Sequence, residues 1–222
     1  MTTIDFHGVH LDFGLSMQNP RPTVSAAWKP EEAHLVKRVI RPGDRVIVAG
    51  GGFGWTACLV ASIVGVDNVV VYEADPARAT YINQNIRIDG RPLRVLGLAI
   101  GDVWGNGQLW EHPHWGASSL NRRLGEHTRM TAVAVTDINM AVQRDNITAL
   151  VLDIEGSEWE IARVLDWTPI RAAVIEVHDG YLDLAGKRGA DVDVAMIAGG
   201  LAKAGELTRD GDTSRWIAGV RA

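Results

Sequence analysis

The sequence predicts an α/β domain, a three-layer sandwich around a mostly parallel, seven-stranded sheet that finishes in an antiparallel hairpin. Three observations predict it. Short apolar runs at Val46–Ala49, Val69–Tyr72, Thr148–Leu152 and Ala172–Val177 have the composition of strands buried on both faces. Segments with helix start signals alternate with those runs. The first run also passes through Gly50-Gly51-Gly52-Phe53-Gly54-Trp55 directly into a helical pattern, a strand–turn–helix unit.

In chain order, Ile4 to Phe13 alternates in strand fashion around His7-Gly8 and reads as a hairpin, and Asn19-Pro20-Arg21-Pro22 as a loop. Pro30 starts a helix with Glu31 and Glu32 in its first turn and Lys37 and Arg38 near its last, matching the helix dipole. Arg41-Pro42-Gly43-Asp44 turns the chain into the first sheet strand. The second, Val69 to Tyr72, ends at Glu73, and Asp75-Pro76 opens a helix as N-cap and first residue. A third strand, Leu93 to Ile100, closes with Gly101-Asp102, and a fourth, Thr148 to Leu152, runs into Asp153. Ser157 and Glu160 have the spacing of a capping box, and Glu158 suits the same helix's dipole. The fifth strand ends in Glu176-Val177-His178. A helix from Asp191 to Ala204 is expected to stop at Gly205. A hairpin around Asp210-Gly211-Asp212 completes the order.

Gly50, Gly52 and Gly54 form a G-x-G-x-G pattern, which lets a backbone pass close to a ligand, and the following helix points its free N–H groups at the same spot. A dinucleotide fingerprint needs a third glycine where Trp55 stands, so the spacing favours a nucleoside ligand without a pyrophosphate, S-adenosylmethionine being the common one. Glu73, about 20 residues beyond the turn, is placed to accept hydrogen bonds from ribose hydroxyls, the alternative being a surface acid at a strand end. Asp153 stands at a strand's carboxyl end, where ligands of open α/β sheets lie.

These segments resemble the FkbM-type methyltransferase family, on the class I methyltransferase fold. The resemblance runs from about Val46 to His178. It is carried by Gly50–Trp55, Tyr72-Glu73-Ala74-Asp75-Pro76, Asn85 to Gly90, Ala99-Ile100-Gly101-Asp102, Trp115-Gly116-Ala117-Ser118-Ser119-Leu120 and Asp153-Ile154-Glu155-Gly156-Ser157-Glu158. It implies S-adenosylmethionine as cofactor and S-adenosylhomocysteine as product. The cofactor-binding residues it implies are Gly50, Gly51, Gly52, Phe53, Gly54, Trp55, Glu73, Ala74, Ala99, Ile100 and Asp153. Transfer to a hydroxyl of a sugar, glycan or small natural-product-like metabolite follows, with Trp115, Ser118 and Ser119 at the acceptor. The chain departs from the family pattern at three places. Val48 replaces an Asp before the glycine turn, Val151 replaces a Lys two residues before Asp153, and Gly97-Leu98 replace an adenine-binding Asn or Asp.

An alcohol is a poor nucleophile until a base takes its proton. Asp153, Glu155 and His178 come from neighbouring strand ends and are the candidates. His178 has the better intrinsic pKa and Asp153 the better position. Asp153 can instead hold the acceptor or the cofactor's methionine part without moving a proton. Two other readings stand beside this one: a degenerate, non-catalytic binding module on the same fold, supported by Val48, and N-methylation of a small amine.

With 222 residues the chain suits one domain. Its parts are an N-terminal hairpin and lead-in helix over 1–44, a cofactor half over 45–103, an insertion over 104–130 and the rest of the sheet over 131–222. A net charge of −5 argues against a broad nucleic-acid or anionic-membrane surface. No apolar run reaches membrane-spanning length and Met1 to His10 lacks a signal-peptide pattern, so a cytoplasmic location is expected. Oligomeric state is left open. Cys58, the single cysteine, reads as a core thiol. The tryptophans of the insertion, Trp104, Trp110 and Trp115, either stack on a sugar face or fasten the insertion to the domain. His112 and His114 lack a third and fourth ligand at a diagnostic spacing, so no metal is expected.

Overall fold

The computed structural model describes residues 2–6, 9–13, 30–88, 90–112, 118–120, 129–184, 186, 188–208 and 214–221. Strands β1 (Thr2–Phe6) and β2 (Val9–Phe13) pair antiparallel, as the alternation predicts, while the turn at His7-Gly8 and the loop at 19–22 lie outside the described residues. Helix α1 (Pro30–Val39) buries Leu35, Val36 and Val39. Strand β3 (Val46–Ala49), helix α2 (Trp55–Val64) and strand β4 (Val69–Tyr72) follow. Helix α3 (Pro76–Asn85) starts on Asp75, whose carboxylate accepts the N–H groups of Ala77 and Arg78 at 2.8 and 3.3 Å.

After the short strands β5 (Arg87–Ile88) and β6 (Arg91–Pro92), the expected third strand is two: β7 (Arg94–Leu96) and β8 (Ala99–Gly101). The break has a simple cause. Strand β4 ends at Tyr72, the partner of Leu96, so the chain beyond Leu96 has no neighbour in the main sheet. It turns at Gly97-Leu98, and β8 pairs elsewhere. Strand β9 (Gly105–Glu111) and strand β10 (Arg129–Asp137) form an antiparallel pair, and β10 also pairs parallel with β8. Among the described residues, the insertion contributes β9 and the start of β10 to a small separate sheet.

Helix α4 (Ile138–Asp145) leads through Asn146, at φ 49, to strand β11 (Ala149–Leu152). Then come helix α5 (Glu158–Val164), strand β12 (Ala172–His178), helices α6 (Asp179–Leu184) and α7 (Ala190–Ala198), and strands β13 (Ala202–Thr208) and β14 (Ser214–Val220). Helix α7 stops at Gly199-Gly200 and not at Gly205. Gly200 has φ +90, the left-handed conformation that ends a helix, and Gly199 packs so closely on Trp167 that a Cβ there would lie 2.2 Å from its ring. Gly205 sits in β13 instead. The terminal hairpin forms as expected, its turn at 210–212 lying outside the described residues.

The main sheet runs β13-β14-β12-β11-β3-β4-β7, with β14 antiparallel to both of its neighbours and the other pairings parallel. This is the class I methyltransferase arrangement. Period-two alternation builds the three layers. Val46 and Val48 of β3 face the layer of α1 and α2, whereas Ile47 and Ala49 face that of α4, α5 and α7. The chain leaves β3 for β4 on one side and returns to β11 on the other, which opens a crevice at the carboxyl ends of β3 and β11. Among the described residues no helix is long and apolar enough to cross a membrane.

Helix α7 is clamped to the hairpin through Asp193, which accepts from Arg215 Nη2 at 2.5 Å and pairs with Lys203 Nζ at 3.1 Å. Burial alone would raise the Asp193 pKa, but Arg215 and Lys203 outweigh it and hold the carboxyl below its ordinary value. A depressed folded-state pKa stabilises the fold above the unfolded value, about 4, and the gain is lost as pH falls through the folded value. Asp193→Asn should therefore lower the urea midpoint at pH 6 and make it less sensitive to acidification below about pH 4. Equal midpoints for parent and variant at both ends of that range would remove Asp193 from the acid response.

Candidate functional site

The crevice is floored by the glycine turn. Gly50 N–H and Gly51 N–H both donate to the Tyr72 carbonyl, at 3.0 and 3.2 Å. Gly50 has φ +82, and a Cβ there would lie 1.7 Å from the Asp153 carbonyl oxygen. One on Gly51 would meet Val71 Cγ1 at 2.7 Å. Gly54, at φ +89, caps α2 without a side-chain hydrogen bond. The steric need for glycine at 50 and 51 thus arises inside the protein, where β3, β4 and β11 converge. Phe53 stands edge-on to Tyr81, with centroids 5.6 Å apart, and Trp55 is buried as the first residue of α2.

Glu73 is buried at the end of β4. Its Oε2 accepts Gly52 N–H at 2.6 Å and its Oε1 accepts Asp75 N–H at 2.8 Å, so the carboxylate spans the glycine turn and the α3 cap. Each oxygen keeps a further lone pair. Burial raises the Glu73 pKa, opposed by Arg78 and by the two N–H groups. Ala74 packs on the small sheet near Ala99, and Ala99 and Ile100 are buried in β8.

Across the crevice, Asp153 N–H donates to the Ala49 carbonyl at 3.0 Å. The next turn is strained: Glu155 adopts φ 54, a conformation that costs a side-chain-bearing residue on the order of 1–2 kcal/mol. The fully buried Glu158 accepts Gly156 N–H at 2.9 Å through the same Oε1 that lies 2.8 Å from His178 Nδ1. The other ring nitrogen, Nε2, is 3.3 Å from Glu155 Oε2, 3.8 Å from Glu176 Oε1 and 4.0 Å from Asp153 Oδ1. Ser214 Oγ donates to Glu176 Oε1 at 2.8 Å. Burial disfavours a charged His178, but Glu158, then Glu155 and Asp153, overcome it and push the pKa well above the ordinary value. These carboxylates favour the charged ring, in which both nitrogens carry protons and neither can accept one.

The structure thus brings Asp153, Glu155 and His178 together, as their strand ends predict, and adds Glu158 and Glu176, which sequence reasoning missed. The capping box is corrected. Ser157 caps α5 without a side-chain hydrogen bond, and Glu158 turns inward to His178 and not out toward solvent. The available signal for Glu176 was its place in an otherwise apolar strand, since a buried carboxylate needs partners.

The two serines of the insertion tie it down. Ser118 Oγ accepts from Arg78 Nη2 at 3.2 Å and from His112 N–H at 3.3 Å, and Ser119 Oγ donates to the Glu155 carbonyl at 2.5 Å. A cleft of about 210 Å³ lies between β8, the insertion and α5, lined by Gly101, Asp102, Asn106, Leu120, Ser157 and Glu160 among others. Trp104 is 76% exposed beside it, and Trp110 bridges to Ser119. Trp115, His114, His127, Arg122 and Arg123 lie outside the described residues.

No family model matches the chain, and no curated protein is found similar to it. Solved structures similar to it include MtNAS in complex with MTA and tNA, at 13% identity and a TM-score of 0.46, over 86% of this chain and 58% of that one. The chain thus spans less than two thirds of MtNAS. It is also similar to magnesium protoporphyrin IX methyltransferase (ChlM) from Synechocystis PCC 6803 with bound SAM, at 14% identity and TM-score 0.44, over 86% of this chain and 76% of that one. Aeropyrum pernix fibrillarin with natively bound S-adenosyl-L-methionine gives 12% identity and TM-score 0.47, over 86% and 74% of the two chains.

Proposed function

We propose that this chain is an S-adenosylmethionine-dependent methyltransferase acting on a hydroxyl of a sugar, glycan or small natural-product-like metabolite. The observation that carries the reading is the buried Glu73 carboxylate, set against the glycine turn at the sheet's switch point, at the end of the strand on one side of β3 as Asp153 is on the other. The residues fit the cofactor. Glu73 has lone pairs for a ribose diol, Gly50–Trp55 and the N-terminus of α2 line the same crevice, and Ala74, Ala99 and Ile100 give an apolar wall for a base. When bound, S-adenosylmethionine supplies an electrophilic methyl group. The chain's own contribution is alignment and exclusion of water. Asp153, Glu155 and His178 hold the acceptor hydroxyl, and the carboxylates of Asp153 and Glu155 are the groups that take up its proton. The insertion, with Trp115, Ser118 and Ser119, recognises the acceptor. Val48, buried in the core, favours the second reading, a binding module on the same fold.

Calorimetric titration with S-adenosylhomocysteine tests this reading. The parent protein should bind, and Glu73→Ala should weaken binding by about 1.5–3 kcal/mol through lost charge-assisted bonds. The variant also leaves Gly52 N–H and Asp75 N–H without their acceptor, so its melting temperature must be followed alongside. A folded parent that fails to bind would overturn the proposal.

A further inference from the structure

Four carboxylates, those of Asp153, Glu155, Glu158 and Glu176, lie within 4.0 Å of the single imidazole of His178. Carboxylates gathered around one imidazole at the ligand-binding end of a sheet are the donor types of a divalent cation. The five residues are not equivalent. Glu158 is fully buried and lies on Nδ1, which directs Nε2 toward the others. A carboxylate on one ring nitrogen that fixes the tautomer and presents the other is the usual arrangement behind a metal-bound histidine. Oxygens of Asp153 and Glu176 and a ring nitrogen of His178 all lie within 4.8 Å of one another. Bonds of about 2.0–2.3 Å put two ligands of one ion roughly 3–4.5 Å apart. The 3.8 and 4.0 Å separations from Nε2 fall in that range.

The arrangement follows from the fold. Glu176 and His178 are two apart on β12 and share one face of it, the face of Val174, at its carboxyl end. Asp153 continues the alternation of Ala149 and Val151 on the adjacent β11, toward the same side. No sequence spacing links the three, so no motif announces them.

We propose that Asp153, Glu176 and His178 bind one divalent cation, of the class that accepts both carboxylate and imidazole ligands, with Glu158 as the positioning residue behind His178 and Glu155 at the rim. Two carboxylates and one imidazole suit Mn²⁺ and its neighbours better than a thiolate-seeking ion. The binding site stands independently of methyl transfer. Its catalytic consequence rests on the methyltransferase reading: a cation beside the acceptor lowers the cost of deprotonating a hydroxyl and reduces the demand for a separate base.

Mn²⁺ alone is the probe, added to chelator-stripped full-length protein and followed by electron paramagnetic resonance. The expected result is one bound ion per chain, with electron spin-echo modulation from a coordinated imidazole nitrogen. Asp153→Asn and Glu176→Gln should each weaken binding at least about tenfold, and Glu158→Gln by roughly 10–100-fold through loss of orientation. A parent that binds no Mn²⁺ at millimolar concentration, or binds it without nitrogen modulation, would overturn the site. So would folded Asp153→Asn and Glu176→Gln variants with unchanged affinity. If those variants do not fold, the parent's stoichiometry and modulation decide. S-adenosylhomocysteine calorimetry on the same samples separates the two proposals. Mn²⁺ binding without nucleoside binding keeps the metal site and sinks the methyltransferase, and the converse keeps the methyltransferase and sinks the metal site.

Discussion

Gly50→Ala is expected to cost roughly 3 kcal/mol or more of stability, a large part of the 5–15 kcal/mol that holds a typical domain. Two effects add. The residue at φ +82 costs an alanine about 1–2 kcal/mol, and its Cβ would lie 1.7 Å from the Asp153 carbonyl oxygen, a backbone atom that cannot rotate away. Relief requires β3 and β11 to separate at their carboxyl ends, where they are hydrogen-bonded through Asp153 N–H to Ala49. Gly43→Ala is the control, since Gly43 has φ +92 but nothing within 4 Å of a Cβ. It should show the conformational cost alone. Urea unfolding of both variants measures the difference, and equal losses would show that the loops yield without penalty.

The second large effect is expected at Val48, 1% exposed in the core beneath α1 and α2. Val48→Asp places an unpaired carboxylate there and should cost about 3–5 kcal/mol. Where the resemblance leads one to expect an Asp and a Lys, this chain has Val48 and Val151, and those two residues are direct partners in the β3–β11 ladder. An Asp and a Lys at these two positions would stand opposite each other across the ladder. Val48→Asp combined with Val151→Lys should therefore be more stable than the sum of the single losses, by about 0.5–3 kcal/mol of coupling. Strict additivity in a double-mutant cycle would mean that the new charges do not meet.

The parts of the fold that were legible in the sequence are those whose cause is local. Asp75-Pro76 announces α3 because capping needs only neighbouring atoms, and the four-residue apolar runs announce β3, β4 and β11 because burial on both faces leaves no place for polar residues. The end of α7 was misplaced because Gly199, Gly200 and Gly205 look alike in sequence, and only the structure gives Gly200 the left-handed φ of +90 that ends the helix. The split between β7 and β8 depends on where β4 ends, a matter of another strand. In the site, Asp153, Glu155 and His178 were legible from their strand ends. Glu158 was not, because an acid in the first turn of a helix has an adequate local explanation in the dipole, and only the tertiary fold reveals that it faces His178.

The antiparallel insertion of β14 has a consequence for how the chain folds. Strand β12 is buried along its whole length, yet one of its edges is closed only by β14, which follows α6, α7 and β13 in the chain. Until Ser214–Val220 arrives, β12 presents an unpaired and largely apolar edge, the kind of template on which chains aggregate. The pairing is non-local, so its loop-closure entropy is met late and slowly. Truncation or slow synthesis of the last hairpin would therefore harm yield as well as take Ser214 away from Glu176. The carboxyl-terminal strand acts as the closing piece of the sheet and as protection against misassembly.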